Sequence, residues 1–135
     1  PRSVLTFSPL SDEPDIGSFL SGQPEVRWVY PRVEGTPPDR RLTLHAVEDH
    51  SRMIRSSWGI LEPAPSVCPP VDLEEIDWAL VPGLAFDPAS GLRLGRGQAL
   101  GGGLEFFIDR VETRFLQVIR SCGAPGRWLI ALVHC

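Results

Sequence analysis

Residues 77–110 run DWALVPGLAFDPASGLRLGRGQALGGGLEFFIDR. Four apolar residues, Trp78, Ala79, Leu80 and Val81, precede Pro82-Gly83, which predicts a short buried strand stopped at that pair. A loop follows, in which Arg93 and Arg96 interleave with Gly95 and Gly97, and Gly101, Gly102 and Gly103 come soon after. Phe107, Val111, Phe115 and Val118 then fall at helical spacing, which predicts an amphipathic helix over residues 106–120, ended by Gly123 and Pro125. A strand that feeds a glycine- and arginine-rich loop at a helix start suits an anion. Glycines let backbone N–H groups approach it, guanidinium groups supply charge, and the helix N-terminus adds a positive dipole end.

The same alternation extends in both directions. Residues 4–7 form an apolar run suited to a buried strand, broken by the prolines and acidic residues of 8–14. Asp15 reads as the N-cap of a short helix carrying Ile16, Phe19 and Leu20 and ending at Gly22. Residues 26–30 suit a second strand, closed by Pro31-Arg32, and Leu42, Leu44 and Ala46 alternate as in a half-buried strand. The proline-dense residues 63–70 predict an extended connector, and residues 128–133 a final apolar strand. Short apolar strands alternating with helices predict an α/β domain with a mostly parallel sheet flanked by helices. In such sheets the ligand crevice lies beyond the carboxyl ends of the strands.

The 135 residues fit one domain with a genuine core, and 42% hydrophobic against 22% charged residues is ordinary for a globular protein. A net charge of -4 gives no whole-chain electrostatic support for nucleic-acid binding. All 13 basic residues are arginine, so any cation at a site is a planar fork donor. No apolar run reaches the length of a membrane span and no signal segment opens the chain, so the expected setting is cytoplasmic, without nucleic-acid or membrane partners. Cys68, Cys122 and Cys135 are widely spaced and read as free thiols. His45, His50 and His134 show no metal spacing and are treated as background. The residues leave oligomeric state open.

The glycine loop matches neither common phosphate fingerprint. Gly97 and Gly102 have P-loop spacing, but Gly103-Leu104 stand where Lys and Ser or Thr belong. Gly95 and Gly97 begin a dinucleotide pattern, but Leu100 replaces its third glycine. By itself the segment is either an anion-binding loop or a surface hairpin with solvated arginines.

VPGLAFD at 81–87, followed by GLRLGRGQ at 91–98, resembles the signature of the 5-formyltetrahydrofolate cyclo-ligase family. VLTFSPLSDEPD at 4–15 is similar to that family's first core strand and acidic turn, and Tyr30-Pro31-Arg32 to the end of its second strand. SWGILEP at 57–63 is similar to its Trp-Gly-x-x-Glu-Pro segment, and Asp109-Arg110 resembles the pair that opens the following helix. The resemblance implies a three-layer α/β fold related to sugar-phosphate isomerases and CoA transferases. It also implies a reaction in which 5-formyltetrahydrofolate and MgATP give 5,10-methenyltetrahydrofolate, ADP and phosphate. The formamide oxygen is a poor nucleophile and a worse leaving group, so ATP must make it a phosphate ester. The protein's contribution is alignment and charge neutralisation.

On this resemblance Arg93 and Arg96 neutralise the transferring phosphate, and ATP is held by Arg93, Leu94, Gly95, Arg96, Gly97, Gln98, Gly101, Gly102 and Gly103. Asp109 holds Mg2+ directly or through water. Glu13 supplies the carboxylate for the folate's N–H edge, with Trp58 and Phe107 as aromatic walls. Each residue also has a plainer reading: Glu13 as a turn residue, Trp58 and Phe107 as packing, Asp109 as a first-turn acid, Asp87 as a turn cap. Glu62, before Pro63, reads as structural. Three features differ from the family pattern: residues 99–105 lengthen the glycine loop, Phe106-Phe107-Ile108-Asp109 stands for its Gly-Tyr-Tyr-Asp, and the chain has no lysine. The family's N-terminal helix and C-terminal segment are expected to be absent from these residues. A noncatalytic relative that binds nucleotide, folate or a protein partner fits the residues as an alternative, and an ATP-independent isomerase or CoA-transferase relative as a third.

Overall fold

The computed structural model describes residues 2–11, 13–57, 59–83, 85–87, 93–94, 116–120 and 129–134. Its elements in chain order are β1 (Ser3–Leu5), α1 (Gly17–Ser21), β2 (Arg27–Glu34), β3 (Arg41–Ala46), β4 (Met53–Arg55), β5 (Leu61–Pro63), β6 (Trp78–Gly83), β7 (Ala85–Phe86), β8 (Arg93–Leu94), β9 (Leu116–Arg120) and β10 (Leu129–His134). Short 3-10 turns cover His50–Arg52 and Leu73–Glu75. Six strands form one sheet in the order β3-β2-β1-β6-β10-β9, with β4-β5 and β7-β8 as separate hairpins.

β1 is a three-residue strand with a parallel partner on each edge, β2 (Val4↔Trp28, Leu5↔Val29) and β6 (Val4↔Trp78, Leu5↔Ala79). Asp77, just before β6, anchors its start. One carboxylate oxygen accepts from the N–H groups of Arg2 at 2.8 Å and Ser3 at 3.0 Å, and Asp77 N–H donates to Ser3 O at 3.0 Å.

The sheet is mixed, not mostly parallel. β2 with β3, β6 with β10 and β10 with β9 are all antiparallel, so α/β holds while the expected strand direction fails over much of the sheet. The main cause lies in residues 116–120, placed by their spacing in a helix and found in strand β9, paired from Leu116↔Val133 to Arg120↔Leu129. Val118 and Ile119 are β-branched, and a short apolar run suits either element until a partner strand settles it. The rest of the expected helix lies outside the described residues.

Proline also stops less than expected. β2 continues through Pro31 to Glu34, because its pairing beyond Val29 is with β3. The parallel ladder ends where Thr6 N–H donates to Val29 O at 2.8 Å, as Pro31 has no N–H to extend it. β6 likewise runs through Pro82 and Gly83, opposite Ile130 and Leu129. Residues 63–70 are not an extended connector. Ala64 O accepts from Val67 N–H at 3.1 Å and Cys68 N–H at 2.9 Å, so the segment folds back and buries Cys68. The N-cap of α1 is Ile16 rather than Asp15, whose carboxylate accepts from Gly17 N–H at 2.9 Å.

Apolar side chains gather on both faces of the sheet. Val4, Leu20, Trp28, Tyr30, Met53 and Leu80 belong to one cluster; Leu5, Val29, Val71, Ile76 and Val81 belong to the other. Fully burying such side chains is worth about 1.5–3 kcal/mol each. At the β2–β3 turn Gly35 has φ of 81°, and a Cβ there would lie 2.5 Å from Asp39 O, so only glycine fits.

Buried Glu62 joins the β4-β5 hairpin to the sheet. It accepts from Val33 N–H at 3.2 Å and from Arg32 Nη1 at 3.4 Å, and Arg32 Nη1 also donates to Pro63 O at 3.2 Å. Glu62→Ala strands a backbone N–H and an arginine, so urea unfolding of that variant is expected to show a loss of about 2–4 kcal/mol. Glu62→Gln retains an acceptor and loses less; equal stability of Glu62→Ala and the parent chain would contradict the assignment.

The backbone N–H groups of Ser3 and Arg2 hold the Asp77 carboxyl below its usual range, and Arg27 chiefly does the same for Glu75. A depressed folded-state carboxyl stabilises above the unfolded value, and that stability is lost as pH falls through and below about 4. The urea midpoint is therefore expected to drop from about pH 6 to about pH 3, less steeply in Asp77→Asn; a flat profile would contradict this.

Candidate functional site

Parallel pairing sends the carboxyl ends of β1, β2 and β6 to the same side of the sheet. Just past the last β1–β2 pair lies a cavity of about 220 Å3. Phe7, Ile16, Met53 and Leu61 supply apolar walls, and Asp15, Tyr30, His50 and Arg55 bring polar groups. That volume is below the roughly 300–1,000 Å3 that takes a whole drug-sized ligand, and it suits a flat ring system from a larger molecule.

Two loops border the cavity. The first follows β1 and contributes Ser8, Pro9 and Asp15. Within it Glu13 closes its own turn: Oε2 accepts from Leu10 N–H at 2.9 Å, and Glu13 N–H donates to Leu10 O at 3.0 Å. The second is the tip of the β4-β5 hairpin, which contributes Arg55 and Gly59. Ser56 N–H donates to Ile60 O at 2.8 Å, Gly59 adopts φ of 77°, and the Arg55 guanidinium donates to Gly59 O. Trp58 lies outside the described residues, but both its neighbours in that tip are described, and Gly59 lines the cavity. The cavity thus lies between the loop after β1 and the β4-β5 hairpin, with neither Glu13 nor any other carboxylate but Asp15 among its described walls.

Tyr30 and His50 join across the floor. Tyr30 Oη and His50 Nε2 are 2.7 Å apart, and the rings meet edge to face with centroids at 5.5 Å. Burial pushes the Tyr30 phenol up to about 12, so it remains a neutral hydroxyl at physiological pH. Sequence reasoning missed this pair. Twenty positions separate the two residues, and β2–β3 pairing brings them together. Asp15, read as a helix cap at the end of the acidic turn, and Arg55, which no motif marks, were missed as lining residues because nonlocal packing places them there.

β6 leaves the sheet at the same end and leads into the β7-β8 hairpin, paired Ala85↔Leu94 and Phe86↔Arg93. Arg93 and Leu94 are therefore strand residues rather than part of an irregular loop. Gly95, Arg96, Gly97, Gln98, Gly101, Gly102, Gly103, Phe107 and Asp109 lie outside the described residues. Among the described residues no three His, Cys, Asp or Glu side chains group to hold a metal ion. His45 bonds to Cys68 O at 2.9 Å and to Thr43 Oγ1 at 3.0 Å, a structural role within the core. No helix among the described residues is long and apolar enough to cross a membrane.

The 5-formyltetrahydrofolate cyclo-ligase family pattern matches residues 19–122. No curated protein matches the chain. Its fold is similar to the solved structure of 5,10-methenyltetrahydrofolate synthetase from Aquifex aeolicus, with a TM-score of 0.63 and 28% sequence identity. The alignment covers 82% of this chain and 53% of that protein, so the chain spans about half the length of this relative.

Tyr30 is the chain's one tyrosine, so phenolate absorbance in the ultraviolet reads it alone. Folded protein is expected to withhold that absorbance until well above the ordinary value of about 10, whereas protein in urea titrates near it. A phenol with a raised folded-state value stays stabilising below the unfolded value, and the contribution is lost as pH climbs towards about 12. Titration near 10 in the folded protein would show that Tyr30 is not buried.

Proposed function

The chain belongs to the 5-formyltetrahydrofolate cyclo-ligase family, and from that membership we propose that it acts in the ATP-dependent cyclisation of 5-formyltetrahydrofolate to 5,10-methenyltetrahydrofolate, with release of ADP and phosphate. The observation that carries the proposal is the 220 Å3 cavity at the carboxyl ends of β1 and β2, lined from the loop after β1 by Ser8, Pro9 and Asp15 and from the β4-β5 hairpin by Arg55, Gly59 and Leu61. The expected three-layer arrangement, the kinship with sugar-phosphate isomerases and CoA transferases, and the cytoplasmic setting belong to the same reading. So does the organisation of residues 1–135 as one cyclo-ligase-like domain.

In this reading the bicyclic ring of the reduced folate occupies the cavity. Phe7, Ile16 and Met53 exclude water from it, and Asp15, Arg55 and Tyr30 offer polar partners at its margins. The Glu13 carboxylate, held by its own turn, accepts from the ring's N–H edge, with Trp58 and Phe107 as walls. The triphosphate is held by Arg93 and Arg96, by the backbones of Gly95, Gly97, Gly101, Gly102 and Gly103, and by Leu94 and Gln98 beside them. The donor chemistry fits, since guanidinium forks pair with phosphate oxygens and glycine leaves backbone N–H groups accessible. When bound, ATP supplies the phosphoryl group that makes the formyl oxygen a leaving group. Asp109 with the triphosphate oxygens suits Mg2+, an ion that keeps several waters and takes few protein carboxylates.

Methenyltetrahydrofolate absorbs in the near ultraviolet and the formyl substrate does not. Mixing the protein with MgATP and 5-formyltetrahydrofolate is expected to raise that absorbance with time. No rise, together with ATP-dependent stabilisation in thermal melts, would favour a noncatalytic binding relative. Neither signal would favour an ATP-independent relative. Arg96→Ala removes a charge-assisted contact worth about 1.5–3 kcal/mol, so ATP affinity is expected to fall about tenfold or more; unchanged affinity would remove Arg96 from the phosphate site.

A further inference from the structure

A second cleft of about 590 Å3 adjoins the 220 Å3 cavity, and the two share Gly17, Leu20 and His50 as walls. Gly17 has no side chain, and Leu20 is buried and apolar. His50 is exposed and is the one shared wall with a polar side chain. Its ring is held: Nε2 is engaged with Tyr30 Oη at 2.7 Å, and the Tyr30 ring packs against it at 89°. Asp49 fixes the backbone beneath, accepting from Ser51 N–H at 2.9 Å through Oδ1. Among the described residues Nδ1 has no hydrogen-bond partner. An exposed imidazole with one nitrogen spent on a buried phenol and the other open is pre-oriented for a ligand, and little rotamer freedom is left to lose on binding.

A reduced folate is a bicyclic ring, flat in its pyrimidine half and puckered in its saturated half, joined to a long aminobenzoyl-glutamate arm. A cavity of about 220 Å3 takes the ring and not the arm. A molecule whose ring lies in the cavity and whose arm runs towards the larger cleft must cross the wall that both share.

We propose that His50 is a substrate-contacting residue that hydrogen-bonds the folate where ring and arm meet, and that Tyr30 is its positioning residue. This rests on the folate reading of the cavity, and it assigns the 590 Å3 cleft to the arm. Trp28 and Val47 line that cleft as apolar surface against which the aminobenzoyl group packs.

The test uses the whole chain and 5-formyltetrahydrofolate itself, with binding read by calorimetry without ATP and turnover read separately. His50→Ala is expected to weaken folate binding about tenfold, the worth of one well-placed hydrogen bond. The KM for ATP is expected to stay unchanged, and the thermal midpoint to fall only by the lost bond to buried Tyr30, a fall that Tyr30→Phe is expected to share. His50→Gln, which can still bond to Tyr30 and to the ligand, is expected to recover most of the loss. Tyr30→Phe frees the ring and is expected to raise the KM for folate with little change in the KM for ATP; because Tyr30 is buried, its thermal midpoint is measured alongside. A merely structural role for His50 would lower the melting temperature beyond that shared fall and affect both substrates alike, which would overturn the proposal. Wild-type turnover with identical folate affinity in His50→Ala would overturn it while leaving the ligase reading intact. His50-dependent folate binding without product would support it while the ligase reading failed, and no folate binding by the wild-type chain would overturn both.

Discussion

The site depends on a strand of three residues. β1 has a parallel neighbour on each edge, and that double pairing forces the chain to leave the sheet after β1, β2 and β6 on one side. Two of these exits line the cavity, the turn after β1 and the Tyr30 segment of β2 beyond its last parallel pair, and the β7-β8 hairpin follows the third. So short a strand has few hydrogen bonds of its own, and the Asp77 carboxylate supplies an acceptor for its first N–H group, that of Ser3, and for that of Arg2 just before it. Parallel sheets place ligands beyond their carboxyl edge for this reason, since that is where irregular backbone can offer polar groups. The antiparallel strands on both flanks add stability without changing where the crevice falls.

Much of this was readable from the residues. β1, α1, β3, β6 and β10 follow from apolar runs and their breakers, and the order of elements along the described chain is close to expectation. The errors share one cause: local patterns cannot see the neighbouring strand. Pro31 and Pro82 read as stops, yet each lies in a strand whose partner extends past it. Residues 116–120 carry a spacing compatible with a helix, but pairing with β10 made them a strand and turned a parallel sheet into a mixed one. Pro63 to Pro70 folds back because Ala64 O collects two N–H groups, which composition does not reveal. The VPGLAFD and GLRLGRGQ segments pointed to the family over nearly the whole chain, and the match over residues 19–122 agrees. Tyr30 and Asp15 lie in segments that resemble the family, but their meeting with His50 and Arg55 at the cavity had no signal in the sequence, because nonlocal packing alone brings them together.

The chemistry divides between two parts of the chain. The cavity, with apolar walls and few polar groups, suits a flat aromatic-like ring. The segment from Arg93 onward holds the guanidinium and glycine content suited to a triphosphate. β6 ends on the side of the sheet where the cavity lies, and the β7-β8 hairpin that carries Arg93 follows it in the chain. In sequence, the elongated glycine loop and the Phe106-Phe107 pair in place of tyrosines distinguish this chain from the family pattern, while the acidic turn and the Trp-Gly segment keep it.

The most direct measurement is an amide NMR titration of the labelled chain with 5-formyltetrahydrofolate and then with MgATP. The account predicts that folate shifts cluster at Phe7, Asp15, Tyr30, His50 and Gly59, and that nucleotide shifts begin near Arg93. Shifts confined to the β3 and β9 edges, with the carboxyl ends of β1 and β2 undisturbed, would contradict it.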